Sequence, residues 1–209
     1  MKTLKDQFTM FIFLTLLGAC NQSGEEHISP IPDEFSNAHQ TMRTMPFKAE
    51  FYTKRSYDDD GEGKCSDDPY LGFNLQIGEG NATHLGKFTT TMWFCGAGFD
   101  YKNGEGVFVA ANGDELYFKV PATDEVGHVL PLPYEDPVYE FYFQDPFEFV
   151  GGTGRFEGAS GGGVTDSYVD LFDDDGNFIP EHQTDHTWTG LLILPKNKCK
   201  AQERTSNSH

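Results

Sequence analysis

Hydrophobic and polar residues alternate with a period of two along most of the middle of the chain. Phe47, Ala49 and Phe51, for example, alternate with Lys48 and Glu50. Successive side chains of a β-strand point to opposite faces, so this pattern predicts strands with one buried face. About eight segments of this kind, or runs of aromatic and β-branched residues, occur at 47–52, 73–77, 88–94, 107–111, 115–120, 138–149, 164–171 and 187–194.

Clusters of glycine, asparagine and aspartate separate these segments and predict tight turns. The clusters at 78–80, 112–114 and 173–177 contain residue types that tolerate positive φ. The first is expected to turn the segment 71–77 back onto 82–94. Most connections are too short for helical crossovers, so the strands are predicted to be antiparallel. The prediction is an all-β, eight-stranded antiparallel barrel, with a two-sheet β-sandwich as the alternative.

The alternation also assigns side chains to the inside of such a barrel. His84 shares the phase of Ala82 and Phe88, and is the one polar residue expected to point inward there. An inward imidazole can bind a ligand, while a buried histidine satisfied by a hydrogen bond is the alternative. The apolar residues expected to face the interior are Phe47, Phe51, Phe73, Leu75, Phe88, Leu116 and Phe118.

Residues 150–161 are the densest glycine cluster, reading Val-Gly-Gly-Thr-Gly-Arg-Phe-Glu-Gly-Ala-Ser-Gly. No Gly-Lys-Ser or Gly-Lys-Thr follows it and nothing downstream has a helical pattern, which argues against a phosphate-binding loop. The glycines instead predict a tight corner at which backbones approach closely.

Two short stretches resemble a known group of barrels. Residues 151–161 resemble the glycine-rich corner of dirigent proteins and allene oxide cyclase-like barrels, and 82–89 resemble a segment of bacterial secreted members of that broad class. With the strand count, the resemblance extends over roughly residues 45–195. It implies an eight-stranded barrel with an apolar cavity. We map none of the plant enzymes' catalytic residues onto this sequence, so no isomerase or coupling chemistry is carried over.

The first twenty residues have the layout of a secretory signal peptide. Two lysines precede an apolar run at 11–17, and small residues stand before Cys20. The cysteine makes the segment resemble a bacterial lipoprotein signal, which implies that Cys20 is lipidated and becomes the N-terminus. A plain signal peptide is the alternative. Asn21 follows, where aspartate would mark inner-membrane retention, so the resemblance implies the outer membrane, on either its periplasmic or its surface face.

The chain accordingly divides into four parts. A lipoprotein signal peptide at 1–19 precedes a polar, proline-containing tether at 20–44, the β-barrel domain at 45–195 and a polar tail at 196–209. The expected membrane contact is the N-terminal lipid.

The net charge excludes some partners. It is −18 for the whole chain, and loss of Lys2, Lys5 and Asp6 with the signal removes a net +1, which leaves −19. Nucleic-acid phosphates and anionic lipid headgroups both require basic residues, so neither partner is expected. The charge fits simple solubility, with divalent-cation binding as the alternative.

No catalytic residue, metal site or cofactor is predicted. The acidic runs 58–62 and 173–176 do not fit a twelve-residue calcium loop, so solvated turns are expected there, with calcium binding as the alternative. His182 and His186 stand four residues apart, and this spacing is expected not to place them on one face outside a helix. No Cys-x-x-Cys pair occurs in the sequence.

Three cysteines remain after cleavage besides the lipidated one. A hairpin centred on 78–80 would place residues whose numbers sum to about 158 opposite each other, and Cys65 and Cys95 sum to 160. A Cys65–Cys95 disulfide is therefore predicted, and Cys199 in the tail would stay free.

The favoured function is a lipid-anchored binding or structural module of the cell envelope. A binding module would take a small apolar ligand in its barrel, and a structural module would have a packed interior. The first alternative is an isomerase or cyclase acting on a hydrophobic substrate, which would need two or more inward polar groups converging in one pocket. Since His84 is the one inward polar residue assigned by phase, binding is favoured over catalysis. The second alternative is surface adhesion or assembly, which would need a large exposed apolar patch. The sequence indicates neither the ligand nor the oligomeric state.

Overall fold

The computed structural model describes residues 41–66, 70–122 and 126–196 of the 209-residue chain. Within these ranges the chain forms eleven β-strands and one short 3-10 turn at Gly154–Phe156. No helix there is long and apolar enough to cross a membrane. The strands are β1 (Met42–Ser56), β2 (Gly72–Ala82), β3 (Gly86–Ala97), β4 (Asp100–Ala110), β5 (Glu115–Val120), β6 (Gly127–His128), β7 (Leu130–Pro131), β8 (Phe141–Phe143), β9 (Pro146–Gly152), β10 (Ser160–Phe172) and β11 (Phe178–Pro195).

Eight of these strands close into a barrel. Around the wall the order is β11, β1, β2, β3, β4, β5, β9 and β10, and β10 then pairs with β11 to complete the ring. All neighbouring pairs are antiparallel. Closure pairs every strand on both sides and so removes the exposed edges of an open sheet. The predicted antiparallel barrel is confirmed, and the two-sheet sandwich is wrong.

Aromatic side chains fill one end of the barrel. Trp188 is fully buried, and its ring centroid lies 4.7 Å from that of Phe147, 4.9 Å from that of Phe118 and 5.4 Å from that of Phe51. Edge-to-face and stacked pairs at these distances add to the free energy of burial. The other inward residues predicted from the alternation and buried in this core are Phe47, Phe88 and Leu116.

The glycine-rich corner closes the same end. Its 3-10 turn buries Phe156 completely, so the ring covers the aromatic core. Gly154 has φ of +57°, and a Cβ there would lie 1.9 Å from Asp114 Oδ1. A side chain at this position would be strained by the positive φ and would displace the carboxylate of Asp114. Arg155 fastens the corner by donating from Nη2 to the carbonyl of Leu85 at 3.3 Å. The predicted tight corner is confirmed.

Strand β2 faces the opposite way from the prediction. Phe73 and Leu75 were expected inside, but the structure places Asn74 and Gln76 in the lumen. Phe73 lies on the outer face, where its ring packs 6.0 Å from that of Trp93. The segment 57–66 covers this apolar outer face. Alternation shows which residues of a strand share a face. It does not show which face lines the lumen when, as here, another segment buries the outer face.

The β2–β3 turn also lies later than predicted. The register runs from Gly72 opposite Gly96 to Ala82 opposite Gly86, so the chain reverses at 83–85. Gly78 lies inside β2, where a Cβ would come within 1.8 Å of the carbonyl oxygen of Tyr52 on β1. This glycine therefore allows two strands to approach closely and does not make a turn.

The Cys65–Cys95 disulfide is confirmed, although the turn position from which it was predicted is wrong. Cys95 lies on β3 opposite Phe73, and Cys65 reaches it from the covering segment 57–66, with the two Cα atoms 5.7 Å apart. The bond therefore attaches this segment to the outer wall. Cys199 lies outside the described residues, so its free thiol stays a prediction.

Loss of this disulfide is expected to destabilise the barrel by about 3 kcal/mol, because it releases a long loop in the unfolded chain. The bonded residues are 30 positions apart. Urea unfolding of a Cys65→Ser/Cys95→Ser variant against the unaltered chain measures the difference. Cys199→Ser is the control and should unfold like the unaltered protein. Equal unfolding free energies for the double variant and the unaltered chain would contradict the expectation.

Candidate functional site

A cavity of about 260 Å³ occupies the end of the barrel away from the glycine-rich corner. One side of its wall is apolar, and the other carries polar side chains from the adjacent strands β11, β1 and β2. The apolar side includes Met92, Phe94, Val120, Phe143, Val169 and Leu171. The polar side consists of Arg55, Asn74, Gln76, His182, Thr184 and His186. A largely apolar pocket with a few convergent polar groups is typical of small-molecule sites.

Strand β11 supplies three of these polar residues. His182, Thr184 and His186 alternate inward and are followed in the same phase by Trp188 of the core. The expectation that His182 and His186 do not share a face is wrong, because residues four apart on a strand point to the same side. The alternation of inward and outward residues along β11 would have predicted that both histidines face the lumen. Among the described residues, no group of three or more His, Cys, Asp or Glu side chains could hold a metal ion.

A chain of hydrogen bonds runs behind the polar side. The hydroxyl of Thr53 donates to Gln76 Oε1, so its oxygen accepts from His186 Nε2 at 3.0 Å. The proton is then on Nε2, and Nδ1 accepts from the hydroxyl of Ser167 at 2.8 Å. Complete burial lowers the pKa of His186 to about 3, so its ring is neutral. Ser167 does not line the cavity, and its pairing with His186 therefore offers no accessible nucleophile.

Three polar atoms on the lining residues lack a partner within the described part of the chain. Arg55 Nε, Asn74 Oδ1 and His182 Nδ1 are buried without a hydrogen bond. Burial and the positive charge of Arg55 lower the pKa of His182, which keeps its ring neutral. Buried polar atoms are rarely left unpaired in proteins, so these three mark a place where a ligand's polar group fits.

Tyr101 completes the wall opposite these groups. Its hydroxyl donates to the carboxylate of Asp145, and its ring packs 5.7 Å from that of Phe143. Burial and the neighbouring carboxylate raise the pKa of Tyr101, and burial raises the pKa of Asp145. A Cβ on Gly127 would lie 2.5 Å from the Tyr101 ring, so glycine leaves room for it there. The hydrogen bond between Tyr101 and Asp145 fixes the Tyr101 ring at the cavity wall.

A wider groove of about 660 Å³ lies on the outside of the barrel. Two pairs of its polar side chains are bonded to each other. Tyr139 donates its hydroxyl to Asp185, which raises the pKa of Tyr139 to about 12, and Tyr52 donates to Glu79 at 3.5 Å. The lumenal cavity is the stronger candidate for a ligand site, because its lining contains buried polar atoms that no described residue pairs with.

His84 does not face the lumen. It lies exposed in the β2–β3 turn with φ of +68°, and its Nε2 lies 3.0 Å from the carbonyl oxygen of Pro46. The expectation failed because the chain reverses at 83–85, so His84 is not part of an alternating strand. This turn is also at the closed end of the barrel, beside Leu85 of the aromatic core. His84 therefore lies on the exposed surface, and its predicted place at a ligand site in the lumen is wrong.

The acidic runs form turns. Asp59 Oδ1 accepts from the backbone N–H of Gly61 at 2.8 Å, and Asp173 Oδ1 accepts from that of Asn177 at 2.8 Å. The backbone N–H and the side-chain amide of Asn177 lower the pKa of Asp173. The carboxylates thus stabilise the turns, as expected of aspartate there. Cys20, the predicted lipidation site, lies outside the described residues.

Comparison with known proteins gives similarity to solved structures alone. No protein-family model and no curated protein matches the chain. A solved structure of a pterocarpan synthase dirigent protein is similar over 75% of this chain and 88% of that chain, with 11% sequence identity and a TM-score of 0.39.

Proposed function

We propose that this protein is a lipid-anchored β-barrel of the bacterial cell envelope that binds a small molecule with an apolar body in its lumen. The observation that carries the proposal is the half-filled barrel. One end is solid with aromatic rings, while the other encloses about 260 Å³ between an apolar wall and polar side chains. Barrels of eight strands have room for one small ligand.

The size and lining of the cavity agree with such a ligand. A purely apolar cavity of about 150 Å³ is large enough for benzene, so the present volume suits a molecule of one or two rings. Phe94, Phe143 and Val169 offer it apolar surface. Phe99 and Phe178 also line the cavity and are 47% and 55% exposed, which places apolar side chains where a ligand would enter.

The envelope location is supported by sequence and by chemistry. The signal-like segment ends in Cys20, where several acyl chains would give firm membrane attachment. The Cys65–Cys95 disulfide fits an oxidising compartment outside the cytoplasm, because thiols are kept reduced inside it.

Filling the cavity is expected to abolish binding. Ligands are found by thermal scans of the full chain against fatty acids, terpenoids and aromatic acids and alcohols. A ligand at 100 times its Kd should stabilise the protein by about 2.7 kcal/mol, a rise of roughly 5–10 °C in Tm. Val169→Trp places an indole in the lumen and should remove this rise.

The matched control is Val164→Trp, on the same strand but 51% exposed, which should keep the rise. Leu171→Trp blocks the cavity from a second position if Val169→Trp folds poorly. Absence of a shift with every compound on the unaltered chain, or equal shifts in Val169→Trp and Val164→Trp, would overturn the proposal.

An isomerase or cyclase is a second candidate, because the convergence of polar groups that it requires is present. Arg55, Gln76 and His182 meet on one side of the cavity, with Tyr101 on its wall. Such groups can orient a hydrophobic substrate and stabilise developing charge. Mass spectrometry and NMR of each ligand recovered after incubation distinguish the two functions. Unchanged ligand indicates binding, and a rearranged product that the Val169→Trp variant does not form indicates catalysis.

A further inference from the structure

Arg55 is a cation that faces the cavity without an acidic partner. It follows Thr53 in the inward phase of β1 and lines the lumen. Its Nη2 donates to the carbonyl of Phe73 at 3.3 Å, and its guanidinium lies 5.1 Å from the ring centroid of Tyr57. Its Nε has no partner, and among the described residues no carboxylate forms an ion pair with it. A partly buried charge is costly unless something pairs with it.

The other groups on the cavity wall do not compensate this charge. His182 and His186 are neutral, since burial lowers the pKa of both. Asp100 is the one carboxylate among the described lining residues, and its Oδ1 is hydrogen-bonded to His128 Nδ1 at 2.6 Å, where both side chains are 59% exposed. In a chain of net charge −18, Arg55 is therefore a lumenal positive charge with which no described carboxylate pairs.

Asn74 lies diagonal to Arg55 across the β1–β2 pair, where Gln76 is directly opposite Arg55, and it can assist in holding an anion. Its Oδ1 has no hydrogen-bond partner among the described residues. The amide can rotate and present its N–H groups to a bound oxygen. Arg55 supplies charged donors beside it, and charge-assisted bonds of this kind are about twice as strong as neutral ones.

We infer that the lumenal ligand is an organic anion, a carboxylate on a body of one or two rings, whose charge pairs with Arg55 and whose rings lie against Phe94 and Phe143. This inference rests on the proposed binding function and narrows it to a class of ligand. The volume of about 260 Å³ limits the body, and the unpaired guanidinium selects the polar group.

The test compares one acid with neutral molecules of the same shape. Calorimetric titration of the full chain with 2-naphthoate, 2-naphthamide and methyl 2-naphthoate at pH 7 measures the three affinities. We expect 2-naphthoate to bind at least about tenfold more tightly than either neutral compound, as one charge-assisted pair provides. Arg55→Gln should remove this preference and leave the affinity for 2-naphthamide unchanged.

Two further variants make the result specific. Arg55→Lys keeps the charge and should keep part of the preference for 2-naphthoate, which a merely structural role of Arg55 would not predict. Arg155→Gln removes a cation at the closed end, where its guanidinium packs on Phe156, and should leave all three affinities unchanged.

The outcomes separate this inference from the proposed function. Equal affinities for the acid and its neutral analogues, or equal weakening of all three by Arg55→Gln, would overturn the organic-anion inference while lumenal binding stands. The organic-anion inference also falls, and lumenal binding stands, if none of the three compounds binds but another compound raises the Tm and Val169→Trp abolishes that rise. Absence of any binding, here and in the thermal scans, would overturn both.

Discussion

Lowering the pH from 6.5 towards 3 is expected to destabilise the barrel by roughly 4–5 kcal/mol through His186. Burial lowers the pKa of this residue from 6.5 to about 3, whereas the unfolded chain binds the proton at the ordinary value. Between these two pH values the unfolded state therefore holds more protons than the folded state. The stabilisation is complete above pH 6.5 and is lost as the pH falls.

The surroundings of His186 explain the size of this effect. Its two ring nitrogens are used by Thr53 and Ser167, and its ring stacks 4.4 Å from that of Phe51. These neighbours carry no negative charge that could stabilise an imidazolium. His182 acts in the same direction, since its pKa is also lowered. Asp145 acts in the opposite direction, because its pKa is raised and the folded protein keeps its proton to higher pH.

Urea unfolding at pH 7, 6, 5 and 4 measures the dependence. A His186→Gln variant should be less stable at pH 7 but should lose much less stability on acidification. His84→Gln, at an exposed turn, is the matched control and should follow the unaltered protein. Parallel pH profiles for His186→Gln and the unaltered chain would show that the acid sensitivity has another source.

Replacement of Cys20 by serine is expected to abolish membrane retention almost completely. The serine hydroxyl cannot take the place of the thiol that would be acylated. Each buried methylene of an acyl chain contributes about 0.8 kcal/mol, so two or more chains hold a protein firmly and their absence releases it. Fractionation of cells producing either form, followed by mass measurement of the N-terminal peptide, gives the result.

Cys199→Ser is the control, because it removes a cysteine outside the signal-like segment and should remain in the membrane fraction. Separation of inner from outer membranes then tests the location expected from Asn21. Equal membrane recovery of Cys20→Ser and the unaltered protein would contradict the lipid anchor.

Part of the candidate site could have been predicted from the sequence. Trp188 is an inward residue of β11, and counting back by two from it leads to His186, Thr184 and His182. The alternation along 82–94 points to His84 instead, because it treats residues 83–85 as part of a continuous strand. These residues form a turn. Period-two reasoning holds only inside a strand, so an error in the turn position moves a residue from lumen to surface.

Asn74 could not have been found in the same way, although Arg55 continues the inward phase of Phe47 and Phe51 along β1. The strand pattern of β2 has apolar residues at Phe73 and Leu75, which suggested that this face was the interior. The segment 57–66, attached through Cys65, covers that face from outside. Its packing turns polar residues of β2 towards the lumen, beside the guanidinium of Arg55, and this depends on contacts between segments distant in sequence.

The amino-acid sequence by itself determined that this protein has an antiparallel all-β fold and that its glycine-rich stretch is a corner. These properties follow from local periodicity and turn chemistry. Only the tertiary structure decided which face of β2 is inside, where the β2–β3 turn lies and which end of the barrel is open. These depend on how distant side chains fill the lumen, since Trp188 and Phe156 occupy one end and leave the other to Arg55 and His182.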